Sequence, residues 1–325
     1  MNRTGLRNLM LLVGLAMPAT ASPAADALQL RTEPWRSDFE VLSQNRDRLR
    51  YAGTLRLFTP APLESQRGGW SSLVNFGPNV GFQATSDRNG HWLTFDVALN
   101  EGNLVGAQYL DHGQIKGPDG QGLDDIESMI IIGELILAGL DGSADLYQLD
   151  RHRTRAYPRF TLPDFAPGRN DGIEALAFRS PHGPLLPIAE KSGSDPHHRQ
   201  AWWLIPDQAT TAFELPLALT ASPVGATHLA NGDVVLLHRH YERGVTTIGL
   251  SHYPADELST SDLPQPQSLI EMRSSVLTQA LDNFEGIAAF QRDGRQYLLL
   301  ISDDNVDWQR PGAQNTLLML FEWLH

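Results

Sequence analysis

The sequence contains no cysteine, no long apolar run beyond its first residues and few stretches with the 3.6-residue periodicity of a helix. Without cysteine the chain can form no disulfide and carry no lipid on an N-terminal cysteine. No segment after residue 21 approaches 18 consecutive apolar residues, so we expect a soluble mature protein. Gly-x-Ser-x-Gly, Gly-x-Gly-x-x-Gly, P-loop and His-Glu-x-x-His signatures are also missing, which argues against the enzyme classes that use them.

Basic residues are outnumbered, and the formal net charge is −13. Such a chain is repelled by nucleic acid and by anionic membranes, so we expect neither as a partner. The start differs, because Arg3 and Arg7 precede an apolar stretch and the small residues Ala19-Thr20-Ala21. This order predicts a signal peptide over 1–21 and one mature domain over 22–325. Export without disulfides is compatible with a periplasmic or secreted protein, and we expect a monomer.

What the chain does contain is a recurring phrase: an acid, a small residue and an aliphatic residue. It reads Glu127-Ser128-Met129, Glu174-Ala175-Leu176 and Glu285-Gly286-Ile287, with weaker echoes at Ser72 and Thr227. The phrase returns about every 50 residues, which is typical of a repeat architecture built from one supersecondary unit at a time.

Short strand-like runs alternate with turn signals such as Asn231-Gly232 and Asp293-Gly294. With the repeat, they predict an all-β, single-domain propeller of four-stranded antiparallel blades. Five anchors plus one blade assembled from the two chain ends give six blades, the ends closing the ring. The segment from Leu258 to Ser275 is the best candidate for a helix or a long inserted loop.

A second polar cluster follows each phrase after a strand and a turn, except after Glu127, where the first acid is Asp141. Phrase and cluster would then lie on one face of the ring, where acids and bases converge. The acids and bases expected at this mouth are Asp87, Glu127, Glu174, Glu190, Glu285, Asp303, Asp304, Arg88, Lys191 and Arg239.

Converging carboxylates repel one another unless protons, arginines or a cation intervene. Calcium prefers six to eight oxygen ligands, which this set could supply. The candidate calcium ligands are Asp87, Glu127, Glu190, Asp303 and Asp304. Glu174 and Glu285 would act as further ligands or as a general base, while Arg88 and Arg239 bind an anionic group. The alternative is structural, since acids and arginines at repeated positions also fasten blades together. His238 and His240 share a strand face, which leaves zinc as a weaker alternative.

Several motifs resemble the phytase-like family described as having esterase-like activity. They are Ser86-Asp87-Arg88, Asn170–Leu176, Asp282–Ala288, Ser302–Asn305, Gln309-Arg310 and Gln314–Leu318. The similarity runs from about Tyr51 to Trp323. It implies an exported β-propeller that hydrolyses esters or phosphoesters. The chain departs from the family's pattern after Glu127, where the strand Leu135–Leu140 ends without an acid.

The sequence therefore predicts an exported hydrolase that acts on a small anionic or ester substrate, assisted by calcium. Two alternatives stay open: a non-catalytic propeller that binds a ligand or protein through the same mouth, and a calcium-dependent lactonase-like enzyme. A propeller fold alone does not separate them, because propellers support many functions.

Overall fold

A computed structural model describes residues 29–59, 68–78, 80–168, 171–178, 183–258, 265–275, 278–305 and 314–324. These ranges hold twenty-two strands and no helix, as the all-β prediction requires. No helix within them is long and apolar enough to cross a membrane. The predicted signal peptide over 1–21 lies outside the described residues, as do Asn170, Gln309 and Arg310 of the motifs above.

The strands form five separate sheets, and the inner strand of each sheet lies next to the inner strands of two neighbouring sheets. Blade 1 contains β4 (Trp70–Asn75), β5 (Phe82–Ser86), β6 (His91–Asn100) and β7 (Asn103–Gln114). Blade 2 contains β8 (Ile126–Ile132), β9 (Leu135–Leu140), β10 (Asp145–Leu149) and β11 (Ala156–Thr161). Blade 3 contains β12 (Ile173–Phe178), β13 (Leu185–Ala189), β14 (His198–Trp203) and β15 (Thr211–Pro216).

The last two blades each take a fifth strand from the N-terminal region. Blade 4 runs in the order β16 (Ser222–His228), β17 (Val234–Glu242), β18 (Val245–Tyr253), β19 (Gln267–Ser275) and β2 (Glu40–Gln44). Blade 5 runs in the order β20 (Asn283–Arg292), β21 (Arg295–Asp303), β22 (Leu317–Trp323), β3 (Leu49–Phe58) and β1 (Arg31–Pro34). All pairings within the blades are antiparallel.

The ring closes where the two chain ends meet, since β22 pairs with β3 through contacts such as Leu318 with Leu55. The prediction that terminal strands share one blade is confirmed, but the count of six blades is wrong. The phrase at Glu285 is followed by only two further strands before the chain ends. Strands β3 and β1 complete that blade and β2 joins blade 4, so no sixth blade forms and the described residues make five.

The prediction of a helix or inserted loop over Leu258 to Ser275 is also wrong where the structure describes it. Its second half is β19, an ordinary strand paired on both sides, with β18 and with β2. Strand β19 alternates buried Ile270 and Met272 with more exposed neighbours, a period of two that suits a sheet. Residues 259–264 lie outside the described ranges.

Five apolar clusters hold the ring together, each between two neighbouring blades. Adjacent residues of one strand serve different clusters, because side chains alternate across a sheet. On β14, Trp202 packs in the cluster between blades 2 and 3, and Trp203 packs in the cluster between blades 3 and 4. The Trp202-Trp203 pair therefore packs blade 3 against both of its neighbours.

The small residue of the recurring phrase has a steric cause, since the inner strands approach closely around the axis. A Cβ added at Gly225 would lie 2.4 Å from the Glu285 carbonyl oxygen, and one added at Gly286 would lie 2.9 Å from the Leu73 nitrogen. At the neighbouring blades Ser71 and Ser128 donate hydrogen bonds to the inner strand of the next blade. The phrase therefore marks the place where blades touch.

Candidate functional site at the mouth of the central channel

Every inner strand carries a β-bulge at the same point, and the bulged residue has no partner in the second strand. The pairing skips one residue between Ile126 and Ser128, and each other blade has the same skip. The bulged residues are Ser71, Glu127, Glu174, Val224 and Glu285. Ser72 and Thr227, the weaker echoes of the phrase, are therefore not the equivalents of the three acids; those positions belong to Ser71 and Val224. A bulge redirects a side chain away from the ladder, a device common next to functional sites.

A second set of equivalent residues, here called the strand-end residues, lies opposite the bulge near the end of each second strand or directly after it. In each blade the residue before the bulge pairs with a residue of the second strand, as Ile126 pairs with Leu140, and the strand-end residue is the one that follows this partner. The residues that come next are Asp87, Asp141, Glu190, Arg239 and Asp303. Asp141 thus occupies the position that looked empty in the sequence, so the acid set is complete on this blade.

The two sets meet at one end of the central channel. The three bulge glutamates and all five strand-end residues line a cavity of about 280 Å³, together with Lys191, Asn283 and Asn305. Below this mouth the bulge residues narrow the channel to a space of about 10 Å³. The predicted convergence of acids is therefore present in the geometry: seven carboxylates face one small cavity.

Burial, with added repulsion between the carboxylates, raises the pKa values of six of these acids: Asp87, Glu127, Asp141, Glu174, Glu285 and Asp303. Burial is the main cause at Glu285, where the pKa rises to about 8 although Arg239 opposes the shift. Burial followed by the charge of Asp303 raises the pKa of Asp87 to about 7. Burial likewise raises the pKa of Asp303 to about 6, and that of Glu174 well above its ordinary value with added repulsion from Glu127. At neutral pH the mouth therefore holds both protonated and ionised carboxyls.

Asn283 connects the charged groups of blades 4 and 5. Its Nδ2 donates to Glu285 Oε1 at 2.8 Å and lies 3.4 Å from Asp303 Oδ2, and its Oδ1 accepts a hydrogen bond from Arg239. Arg239 Nη2 lies 3.3 Å from Glu285 Oε1. Sequence reasoning quoted Asn283 within a motif but gave it no role. Its place two residues before Glu285, across the bulge, was the available signal.

Some polar atoms of the site have no hydrogen-bond partner among the described residues. Asp87 Oδ1, Asp141 Oδ1 and Arg239 Nε are buried and unsatisfied. Buried polar groups in native proteins are nearly always satisfied, so such atoms call for a ligand, an ion or water. The two aspartate oxygens can bind a cation or a proton, whereas Arg239 Nε can only donate a hydrogen bond.

Three predicted site residues are not free to act at the cavity in the way the sequence suggested: one forms an ion pair and two lie away from the cavity. Glu190 Oε2 lies 2.6 Å from Lys191 Nζ at the cavity. Arg88 does not line the cavity; its side chain is 55% exposed, with Nε 3.7 Å from Asp87 Oδ1. Asp304 also lies away from the cavity, because it accepts hydrogen bonds from Gly69 N at 3.2 Å and Thr316 Oγ1 at 3.0 Å. Asp304 thus connects blade 5 to the start of blade 1.

The histidine pair does not form a zinc site. Both ring nitrogens of His238 are occupied, Nδ1 at 3.2 Å from the Ala221 carbonyl and Nε2 at 2.6 Å from Ser251 Oγ. His240 lies at the surface near Glu242. Among the described residues no group of three or more His, Asp or Glu side chains is already arranged around one metal position. The acids surround a cavity instead of a point.

Comparison with known proteins agrees with the motifs. The model of the phytase-like family, described as esterase-like activity of phytase, matches residues 65–306, more than half of the chain. The chain belongs to this family. No curated protein matches its sequence significantly.

The chain is similar to several solved structures at low identity and low TM-score. Glutaminyl cyclase from Myxococcus xanthus has a TM-score of 0.43 at 14% identity, covering 79% of this chain and 92% of that one. A protein of unknown function from Dyadobacter fermentans has a TM-score of 0.42 at 11% identity, with coverages of 90% and 99%. The PQQ-bound aldose sugar dehydrogenase from Streptomyces coelicolor has a TM-score of 0.38 at 15% identity, with coverages of 90% and 98%.

Proposed function

We propose that this phytase-like protein is an exported hydrolase that cleaves an ester or phosphoester at the mouth of its propeller. The observation that carries the proposal is the cavity itself, where seven carboxylates, six of them with raised pKa values, line one space together with Arg239. Strongly perturbed titratable groups in a cleft are typical of catalytic sites. The family's description, esterase-like activity of phytase, supports the same reaction class. The substrate would be a small anionic or ester compound.

The residues suggest distinct roles. Arg239 would bind the anionic or carbonyl oxygen, because its guanidinium reaches the cavity and its Nε has no hydrogen-bond partner among the described residues. Glu285, with a pKa near neutrality, can hold a proton or accept one from an attacking water. Glu174, which is fully buried beside Glu127 and has a raised pKa, can donate a proton to the leaving group. Asn283 orients Glu285 by donating to its Oε1.

We also propose that calcium binds at this mouth. The donor set fits, since calcium prefers carboxylate oxygens and Asp87 and Asp141 each present a buried, unsatisfied one. The ligands would come from Asp87, Glu127, Asp141, Glu190 and Asp303, after small side-chain rotations that bring three or more to one point. When bound, calcium would supply positive charge for an anionic substrate. Asp304 is left out because its oxygens serve Gly69 and Thr316.

The test is hydrolysis of 4-nitrophenyl phosphate and 4-nitrophenyl acetate, with calcium and after chelation. We expect turnover that Glu285→Ala reduces by about 100-fold, the usual scale for a general acid or base. Glu40→Ala is the matched control, since Glu40 is an exposed glutamate on the outer strand of blade 4 and does not line the cavity. Turnover equal in wild type and Glu285→Ala would reject the proposal. Binding of phosphate without turnover would favour the non-catalytic alternative.

Export is a separate part of the proposal. Expression of the full chain in a bacterium should yield a mature protein that begins after Ala21 and is released with the periplasmic fraction. Intact-mass measurement of the purified protein checks this directly. A mass that retains residues 1–21 in an active protein would contradict it.

A further inference from the structure

A second cavity opens directly beside the acidic mouth, between blades 4 and 5. This side pocket has a volume of about 420 Å³ and shares Arg239, Asn283 and Asn305 with the mouth. Its other walls include Tyr241, Thr246 and Gln279. Because the same three side chains border both spaces, the side pocket is adjacent to the place where a molecule at the mouth would lie.

The chemistry of the side pocket differs sharply from that of the mouth. Its described walls contain one basic residue, Arg239, and one acid, Asp282. Asp282 is already engaged, since its carboxylate accepts hydrogen bonds from the backbone nitrogens of Asn283 and Asn315. The remaining polar walls are amides and hydroxyls. Such a lining hydrogen-bonds neutral groups, whereas a second anionic group would meet no further cation among the described walls.

One wall is an exposed tyrosine at a hairpin. Tyr241 pairs with Thr246 across β17 and β18, so the two side chains stand side by side on the rim. The Tyr241 side chain is 63% exposed, unusual for a residue of this size. An exposed ring flanked by hydroxyl and amide groups offers an apolar face and hydrogen bonds together.

From this juxtaposition we infer that the side pocket is a subsite for the uncharged, hydrogen-bonding part of the substrate. It would hold a flat neutral group against Tyr241, while the anionic or ester group lies at Arg239. The inference deepens the proposed function and rests on it for the identity of the reacting group. It specifies a substrate with a single anionic end and a neutral remainder.

Two phosphonates that resist hydrolysis test the charge preference. In 4-carbamoylbenzylphosphonate the far end is a neutral amide, and in 4-carboxybenzylphosphonate it is an anion of the same size. Calorimetric titration should show the amide binding at least about fivefold tighter, a difference on the scale of one or two hydrogen bonds. Equal affinity, or tighter binding of the carboxylate, would overturn the inference.

Variants locate the effect. Tyr241→Ala and Thr246→Val should each weaken binding of the amide probe by about two- to tenfold and leave competition by inorganic phosphate unchanged. Tyr157→Ala is the matched control, because Tyr157 is 48% exposed on the outer strand of blade 2 and lines neither cavity. Amide binding that is unchanged in both variants would overturn the inference.

Benzamide separates this inference from the proposed function. It lacks the phosphonate, so its saturation-transfer NMR signal reports on the side pocket alone. A signal that Tyr241→Ala removes and Tyr157→Ala preserves supports the subsite even if no ester is hydrolysed. A signal that is absent in wild type, or equal in all three proteins, overturns it whatever the enzyme's activity.

Discussion

Blades 4 and 5 present the same two backbone positions to the channel mouth but fill them with opposite chemistry. Blade 5 places Glu285 at the bulge and Asp303 at the strand end. Blade 4 places Val224 and Arg239 there. Val224 is fully buried in the apolar cluster and contributes nothing polar, while Arg239 reaches across to Asn283 and Glu285. The fold thus sets the position of each side chain at the mouth. The presence of arginine instead of an acid at the strand-end position of blade 4 determines where an anion can bind.

The largest expected effect comes from removing Arg239, the basic residue that distinguishes blade 4 from blade 5. Arg239→Ala should lower turnover of 4-nitrophenyl phosphate by about 100-fold or more, the scale of removing one charge-stabilising group. The cause is that an anion would then face acids with only Lys191 nearby. Steady-state kinetics measures the loss. Arg243→Ala is the control, an arginine of the same hairpin whose side chain is 90% exposed. A comparable loss in that control would show that the effect is not local.

The next effect concerns the acids that blade 4 lacks. Glu127→Gln should weaken calcium binding by about tenfold or more, since calcium affinity follows the number of charged ligands. Titration calorimetry of calcium into the chelator-stripped protein measures this change. Glu322→Gln serves as the control, because Glu322 is paired with Arg50 and Arg295 away from the mouth. Calcium binding that is absent in wild type would remove calcium from the proposal.

The sequence predicted the blades because the acid, small, aliphatic phrase reflects a physical contact between inner strands. It failed on their number because Leu55 and Leu318, which pair at closure, lie at opposite ends of the chain. No local pattern indicates which blade the terminal strands complete. The blade that receives the terminal strands is determined by the pairing of β3 with β22, which forms only when the ring closes.

The site was predicted in part for a related reason. Glu174 and Glu285 were identified because they belong to the recurring phrase, and Arg239 was identified because it follows a run of apolar residues. Asp141 was passed over because a bulge shifts the register by one residue, and such a shift leaves no mark in composition. Thr227 was chosen instead of Val224 for the same reason. Asn283 was missed because its importance depends on the direction of its amide group, which spacing does not reveal.

The buried acids of the mouth and the acids that form ion pairs elsewhere should have opposite effects on the stability of the folded chain at alkaline pH. Burial and repulsion raise the pKa of Glu174 above its ordinary 4.5, so the folded chain holds that proton longer than the unfolded chain. Stability is therefore fully present below about pH 4.5 and falls as the pH rises toward the folded pKa. For Glu285 the same loss extends to about pH 8. Metal-free protein should melt at a lower temperature at pH 8 than at pH 5.

Two buried glutamates make this prediction specific. Glu174→Gln should raise the melting temperature of the metal-free protein at pH 8 by roughly a few degrees and leave it unchanged at pH 4.5. Glu322→Gln should lower it at pH 8, because Glu322 Oε2 lies 2.6 Å from Arg50 Nη2. The buried His238, whose pKa burial lowers to about 4, affects all three proteins equally. Scanning calorimetry gives the values, and equal shifts for both variants would contradict the prediction.

The smallest expected effect compares the two arginines that the sequence treated alike. Arg88 lies at the outer side of Asp87 with more than half of its side chain in solvent, where ion pairs contribute little. Arg88→Ala should therefore change turnover by less than about threefold, a scale set by the small energy of an exposed pair. Arg239→Ala measured in parallel gives the reference. If Arg88→Ala proved as damaging as Arg239→Ala, the anion site would have to extend beyond the cavity to blade 1, and the contrast between blades 4 and 5 would no longer explain where the substrate binds.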